Sequence, residues 1–129
     1  MGAFGKARGM AETPWSPMPD VDHLRMAATA WCMADPAERP SNGQFLAMFA
    51  VYLVKHFRAE ENRLDRTMAP DRVWHRKEHR RLVQQLHDVM IDMDLGLEVT
   101  GAIHGFLEAW RLHQESASLR RTRPGSLGH

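Results

Sequence analysis

Four stretches of helix length carry apolar side chains that return every three or four residues, and each stretch ends in a short run that a helix cannot easily cross. That periodicity is the strongest constraint on the fold. Pro14, Pro17 and Pro19 make the first residues a poor helix, after which Asp20 offers an N-cap for a helix from about Val21 to Ala34. "DPAERPSNG" breaks it. Ser41 and Gln44 have the spacing of a capping box and open a long helix to about Arg66, which "TMAPD" ends. Pro70 suits the first turn of a third helix to about Met90, and "DMDLG" is a weak break before a fourth from about Leu97 to Leu119. No strand pattern of comparable length competes. The expected fold is all-α, an up-down-up-down four-helix bundle over residues 20–119, with an irregular N-terminal arm (1–19) and a flexible C-terminal tail (120–129).

A chain of 129 residues, 43% of them hydrophobic, has material for one compact core. Its net charge of +1 argues against a nucleic-acid binder, and the basic run "RKEHRR" is interrupted by Glu78 and reads as a solvated helix face. No segment approaches the roughly 20 apolar residues a membrane span needs. The N-terminal "MGAFGKARGM" lacks a signal-peptide core, and Lys6 stands where a myristoylation signal wants Ser or Thr. Cys32 is the single cysteine, so an internal disulfide is excluded and Cys32 is expected to be a small buried apolar residue. A cytoplasmic monomer or weak homo-oligomer is expected, with neither nucleic acid nor membrane as partner.

Polar residues interrupt these apolar stripes at one level. In the second helix the stripe runs Phe45, Phe49, Tyr52, His56, Glu60, Arg63; in the third, His75, His79, Leu82, Leu86, Val89; in the fourth, Ile103, Phe106, Trp110, His113, Ala117. If the helices alternate in direction, His56, His75, His79 and His113 fall at one end of the bundle, together with His23 from the first helix. Burying a polar group without a partner costs roughly 2–7 kcal/mol. Five imidazoles and the Glu60 carboxylate in one layer have few partners to offer one another, and a metal supplies the compensation. Imidazole with carboxylate suits iron, zinc, copper or nickel, and the absence of cysteine ligands removes the usual structural zinc arrangement. Glu61 and Glu78 stand beside ligand positions and can orient histidines from behind. His87 and His104 are expected at the surface, and Trp31 and Trp74 in packing.

"HFRAEE" followed by "HRKEHRRLV" and "FLEAWRLH" resembles hemerythrin in its bacterial single-domain form, and "VDHLRM" and "TPWSPM" resemble that family's first-helix motif and the segment ahead of it. The resemblance covers roughly Trp15 to Ser118. It implies a non-haem di-iron centre that binds dioxygen reversibly, with His75, His79 and His113 on one iron, His23 and His56 on the other, and Glu60 as a bridge. Three departures lie on the fourth helix. The family's second bridging carboxylate, an aspartate, falls at Ser118; Gln114 replaces a bulky aliphatic residue; and Trp110 precedes the histidine by three residues instead of four. Glu115 is the nearest substitute bridge, about 200° around the helix from His113.

The resemblance therefore implies an oxygen-binding protein for carriage, storage or sensing, with two iron ions and dioxygen or another diatomic as its ligand, and no enzymatic turnover of an organic substrate. The alternatives are a related metalloprotein whose altered bridge turns it to peroxide or nitric oxide, a site for a single iron or zinc, and a metal-free binding module. Ferritin-like oxidases require two Glu-x-x-His steps, and the chain contains none.

Overall fold

The computed structural model describes residues 21–122. The expected N-terminal arm, the Asp20 cap and residues 123–129 of the expected tail lie outside the described residues, while residues 120–122 of that tail continue the last helix. Four α-helices account for nearly all of the described chain: α1 (Val21–Met33), α2 (Asn42–Arg66), α3 (Arg72–Asp94) and α4 (Thr100–Thr122), with one 3₁₀ turn (Pro36–Glu38) between α1 and α2. No strand occurs among the described residues, so the chain has the all-α, four-helix architecture that the periodicity predicts. No helix among them is long and apolar enough to cross a membrane. The fold divides into two compact units, with the division falling within α2 after His56.

In the first unit α1 buries Leu24, Ala27, Ala28 and Trp31, and the opening half of α2 buries Phe45, Leu46, Phe49 and Leu53. Trp31 stacks on Phe45 with ring centroids 5.2 Å apart. Arg39 closes the C-terminal end of α1, donating from Nη1 to the Trp31 carbonyl (2.9 Å) while its guanidinium lies 3.9 Å over the Trp31 ring. The capping box at Ser41 is present in both directions: Gln44 N–H donates to Ser41 Oγ (3.2 Å) and Ser41 N–H to Gln44 Oε1 (3.3 Å). Cys32 is exposed, contrary to expectation. It lies about 80° around the helix from Leu24, past the edge of the buried stripe.

In the second unit α3 and α4 pack on each other. Both buried stripes are those expected, His75, His79, Leu82, Leu86 and Val89 on α3, and Ile103, Phe106, Trp110, His113 and Ala117 on α4. The remainder of α2 adds Phe57 and Leu64. Here the expected phase needs correcting. The buried line of α2 runs through Phe49, Leu53, Phe57 and Leu64, so Tyr52, His56 and Glu60 sit half-buried on its flank and Arg63 is exposed. At about 100° per residue, Leu46, Phe49, Leu53, Phe57 and Leu64 centre roughly 80° around the helix from Phe45, whereas Tyr52, His56 and Arg63 stay within about 20° of Phe45, at the edge of that face.

Both helix breaks in this unit have the same geometry. After α3, Gly96 (φ 84°) donates its N–H to Met93 O and Leu97 N–H reaches back to Asp92 O, both at 3.0 Å. This is a Schellman motif with glycine in the left-handed position. The break that seemed weak in sequence is therefore a full stop. After α2 the same pair of bonds forms from Met68 to Asp65 O and from Ala69 to Leu64 O, with Met68 at φ 53° in the place glycine usually takes. Pro70 lies in this turn, not in the first turn of α3, because Arg72 N–H is still bonded to Ala69 O across it.

Candidate metal centre

Glu60 from α2, His75 and His79 from α3, and His113 from α4 each present one ligand atom such that all of these atoms lie within 4.8 Å of one another. All four residues belong to the second unit. The two α3 histidines are four residues apart and share one face, and His113 near the end of α4 meets them because α4 runs back along α3 after the Gly96 turn. The imidazoles are at most 2% exposed, and Glu60 is half-buried at their edge.

The outer nitrogens of the α3 histidines are held by carboxylates. His79 Nδ1 is 2.7 Å from Glu61 Oε2, and His75 Nε2 is 3.1 Å from Asp71 Oδ2. An ionised carboxylate only accepts, so each of these nitrogens carries a proton, and the inner nitrogen faces Glu60 as a lone pair when the ring is neutral or with a second proton when the ring is charged. The inner nitrogens, His75 Nδ1 and His79 Nε2, lie 3.2 Å and 2.9 Å from the same oxygen, Glu60 Oε1. Neither forms a directed hydrogen bond with it, and both nitrogens of His113 also lack a hydrogen-bond partner among the described residues. Several buried nitrogens and one carboxylate thus converge on one point, an arrangement that costs free energy until a cation or protons fill it.

Electrostatics follow from this crowding. Burial alone would raise the Glu60 carboxyl, but His75 and His79 beside it hold it well below the usual carboxylate range. Burial, then the neighbouring His79, pushes the His113 imidazole down to about 4. Glu60 is therefore anionic and His113 neutral at physiological pH, the forms in which both ligate a metal. Glu78 stands 3.7 Å from His113 Nδ1 and is kept ionised chiefly by its hydrogen bond with Arg81.

Aromatic rings wall the cluster. Phe57 lies flat on His79, with centroids 3.8 Å apart and planes 5° from parallel. Trp74 stacks on His113 at 5.4 Å and meets His75 edge-on at 4.8 Å, and the Arg120 guanidinium covers its ring at 4.0 Å. Such a shell lowers the local dielectric around the ligand nitrogens and limits their access to water.

The remaining residues singled out from sequence lie elsewhere. His23 is exposed and His56 half-buried, both in the first unit and neither a member of the four-residue group. Glu115 is exposed and pairs with Arg111, so the carboxylate weighed as a substitute bridge is turned away from His113. Ser118 is exposed and Gln114 half-buried, while His87 and His104 are exposed as expected. Glu61 does hold a histidine. Asp71 and Phe57 were missed, although the sequence carried a signal for both. Asp71, His75 and His79 repeat at steps of four, and Phe57 continues the step of four from Phe49 and Leu53.

Three imidazoles and one carboxylate, without sulfur, make a donor set that fits one transition-metal ion, either tetrahedral zinc or an iron with coordination places left open. Comparison with family models, curated proteins and solved structures gave no match for this chain.

Proposed function

We propose that this protein is a non-haem di-iron protein that binds dioxygen, with the histidine-rich centre of its second unit among the residues that hold its metal. One observation carries the metal part of the reading: one carboxylate oxygen of Glu60 and one nitrogen from each of three buried imidazoles lie within 4.8 Å of one another. Iron and dioxygen are supported by the hemerythrin-like motifs, whose first-iron residues and bridging carboxylate correspond to His75, His79, His113 and Glu60. Iron supplies the redox chemistry that reversible oxygen binding requires. The chain supplies three imidazoles, one anion and an aromatic wall that limits water and proton entry.

A single-metal site, iron or zinc, is the second reading. It is favoured by the completeness of the four-residue group and by the outward direction of Glu115. Anaerobic ferrous titration with metal counting, followed by exposure to air under an absorption spectrometer, separates the two. Two irons per chain and a reversible visible charge-transfer band support the di-iron oxygen-binding form. One metal per chain without such a band supports the second reading and overturns the first.

A further inference from the structure

Asp71 occupies the N-cap position of α3, yet its side chain makes no capping hydrogen bond. An aspartate there ordinarily accepts from the exposed N–H groups of the first turn, a contact worth about 1 kcal/mol. Here the carboxylate turns one helical turn forward and accepts from His75 Nε2 at 3.1 Å. His79, on the next turn, is held from the opposite side of its ring, with Nδ1 against Glu61 at 2.7 Å.

The two imidazoles are therefore anchored through different nitrogens. His75 presents Nδ1 to the centre and His79 presents Nε2, and both inner atoms lie beside Glu60 Oε1. The anchors are themselves fixed or poised by position. Arg76 approaches Glu61 (3.8 Å), and Asp71 is tied to the chain by the bond from His75 N–H to its own carbonyl (3.0 Å).

We propose that Asp71 and Glu61 are positioning residues that set opposite tautomers in the α3 histidines, so that the metal is taken by Nδ1 of His75 and by Nε2 of His79. This rests on the reading of the cluster as a metal centre. The choice of nitrogen matters because Nδ1 sits closer to the main chain than Nε2. A ligand bound through Nδ1 brings the ion toward the α3 backbone, and one bound through Nε2 holds it a ring's width away. Histidines at adjacent turns of one helix can then reach one ion together with His113 from α4. The carboxylates also make the rings more basic, which strengthens their hold on the ion.

The test uses the full chain with isotope-labelled histidine, loaded with zinc as a diamagnetic probe, and long-range nitrogen–proton NMR to identify the metal-bound nitrogen of each ring. The expected result is Nδ1 coordination with an Nε2 proton at His75, and the reverse at His79. Asp71→Ala should weaken zinc binding about 10- to 100-fold in a chelator competition, and Asp71→Asn, which keeps an acceptor, should recover part of that loss. Coordination of both rings through the same nitrogen overturns the proposal, as does an Asp71→Ala chain with unchanged zinc affinity. A wild-type chain that takes up no zinc overturns the metal reading itself and the ligand assignment with it, an outcome distinct from either of the others.

Discussion

His79 and His87 lie on the same helix, one buried against Phe57 and Glu61 and the other exposed, and replacing each with alanine separates a ligand from a surface residue. His79→Ala should abolish stoichiometric metal uptake and cost the metal-free fold roughly 2–4 kcal/mol, since it opens a cavity under Phe57 and strips Glu61 of its imidazole. His87→Ala should stay within about 0.5 kcal/mol with metal content intact. Denaturant melts with metal counting read both, and equal behaviour of the two would mean that the ligand face is wrong. His113 makes the metal-free protein sensitive to acid. Its imidazole protonates near 6.5 when free and at about 4 in the fold, so between those values the unfolded chain takes up more protons. Stability is complete above the upper value and declines as pH falls toward the lower one. Chelator-treated protein should therefore melt earlier at about pH 5 than at about pH 7, and a His113→Phe chain should lose less over that interval. A pH-independent melting temperature would contradict the buried, neutral assignment.

The helices themselves owe their limits to a few local contacts, and those contacts can be altered one at a time. Met68 holds a left-handed conformation (φ 53°) while largely exposed, so its side chain adds strain without adding packing. Met68→Gly should raise stability by about 1 kcal/mol, because glycine meets no Cβ penalty in that position. Gly96→Ala, at φ 84° with open space around the added carbon, should lower it by a similar amount, since conformation and not crowding sets the cost. Ser41→Ala removes one side of the α2 capping box and should cost about 1 kcal/mol. Thermal melts of the three variants distinguish strain at a turn from loss of a cap. The capping box and the α3 and α4 stripes were legible because helix caps and 3.6-residue faces are local properties. The strength of the Gly96 stop was not, because a Schellman motif depends on backbone bonds that a lone glycine in sequence does not guarantee.

For the molecule as a whole, a centre assembled from three helices ties ion binding to folding, because the unfolded chain has no such site. A ferrous or zinc ion at about 100 times its dissociation constant should stabilise the protein by about 2.7 kcal/mol, raising the melting temperature on the order of 10 °C. Calorimetry before and after adding chelator tests this, and coincident transitions would rule out a metal held by the fold. Periodicity, caps and breaks determined four helices and placed His75, His79 and His113 on inward faces, since these depend only on spacing along the chain. The tertiary structure decided the rest. It put Phe57 rather than His56 at the centre of the α2 stripe, turned Glu115 out to Arg111, and drew Asp71 from its helix cap to His75. It also gathered four ligand atoms in the second unit while His23 and His56 belong to the first. The reason is physical: a face is fixed by the 100° step of one helix, but which side chains meet depends on how helices turn and approach one another, and that is settled by packing across distances the local sequence does not encode.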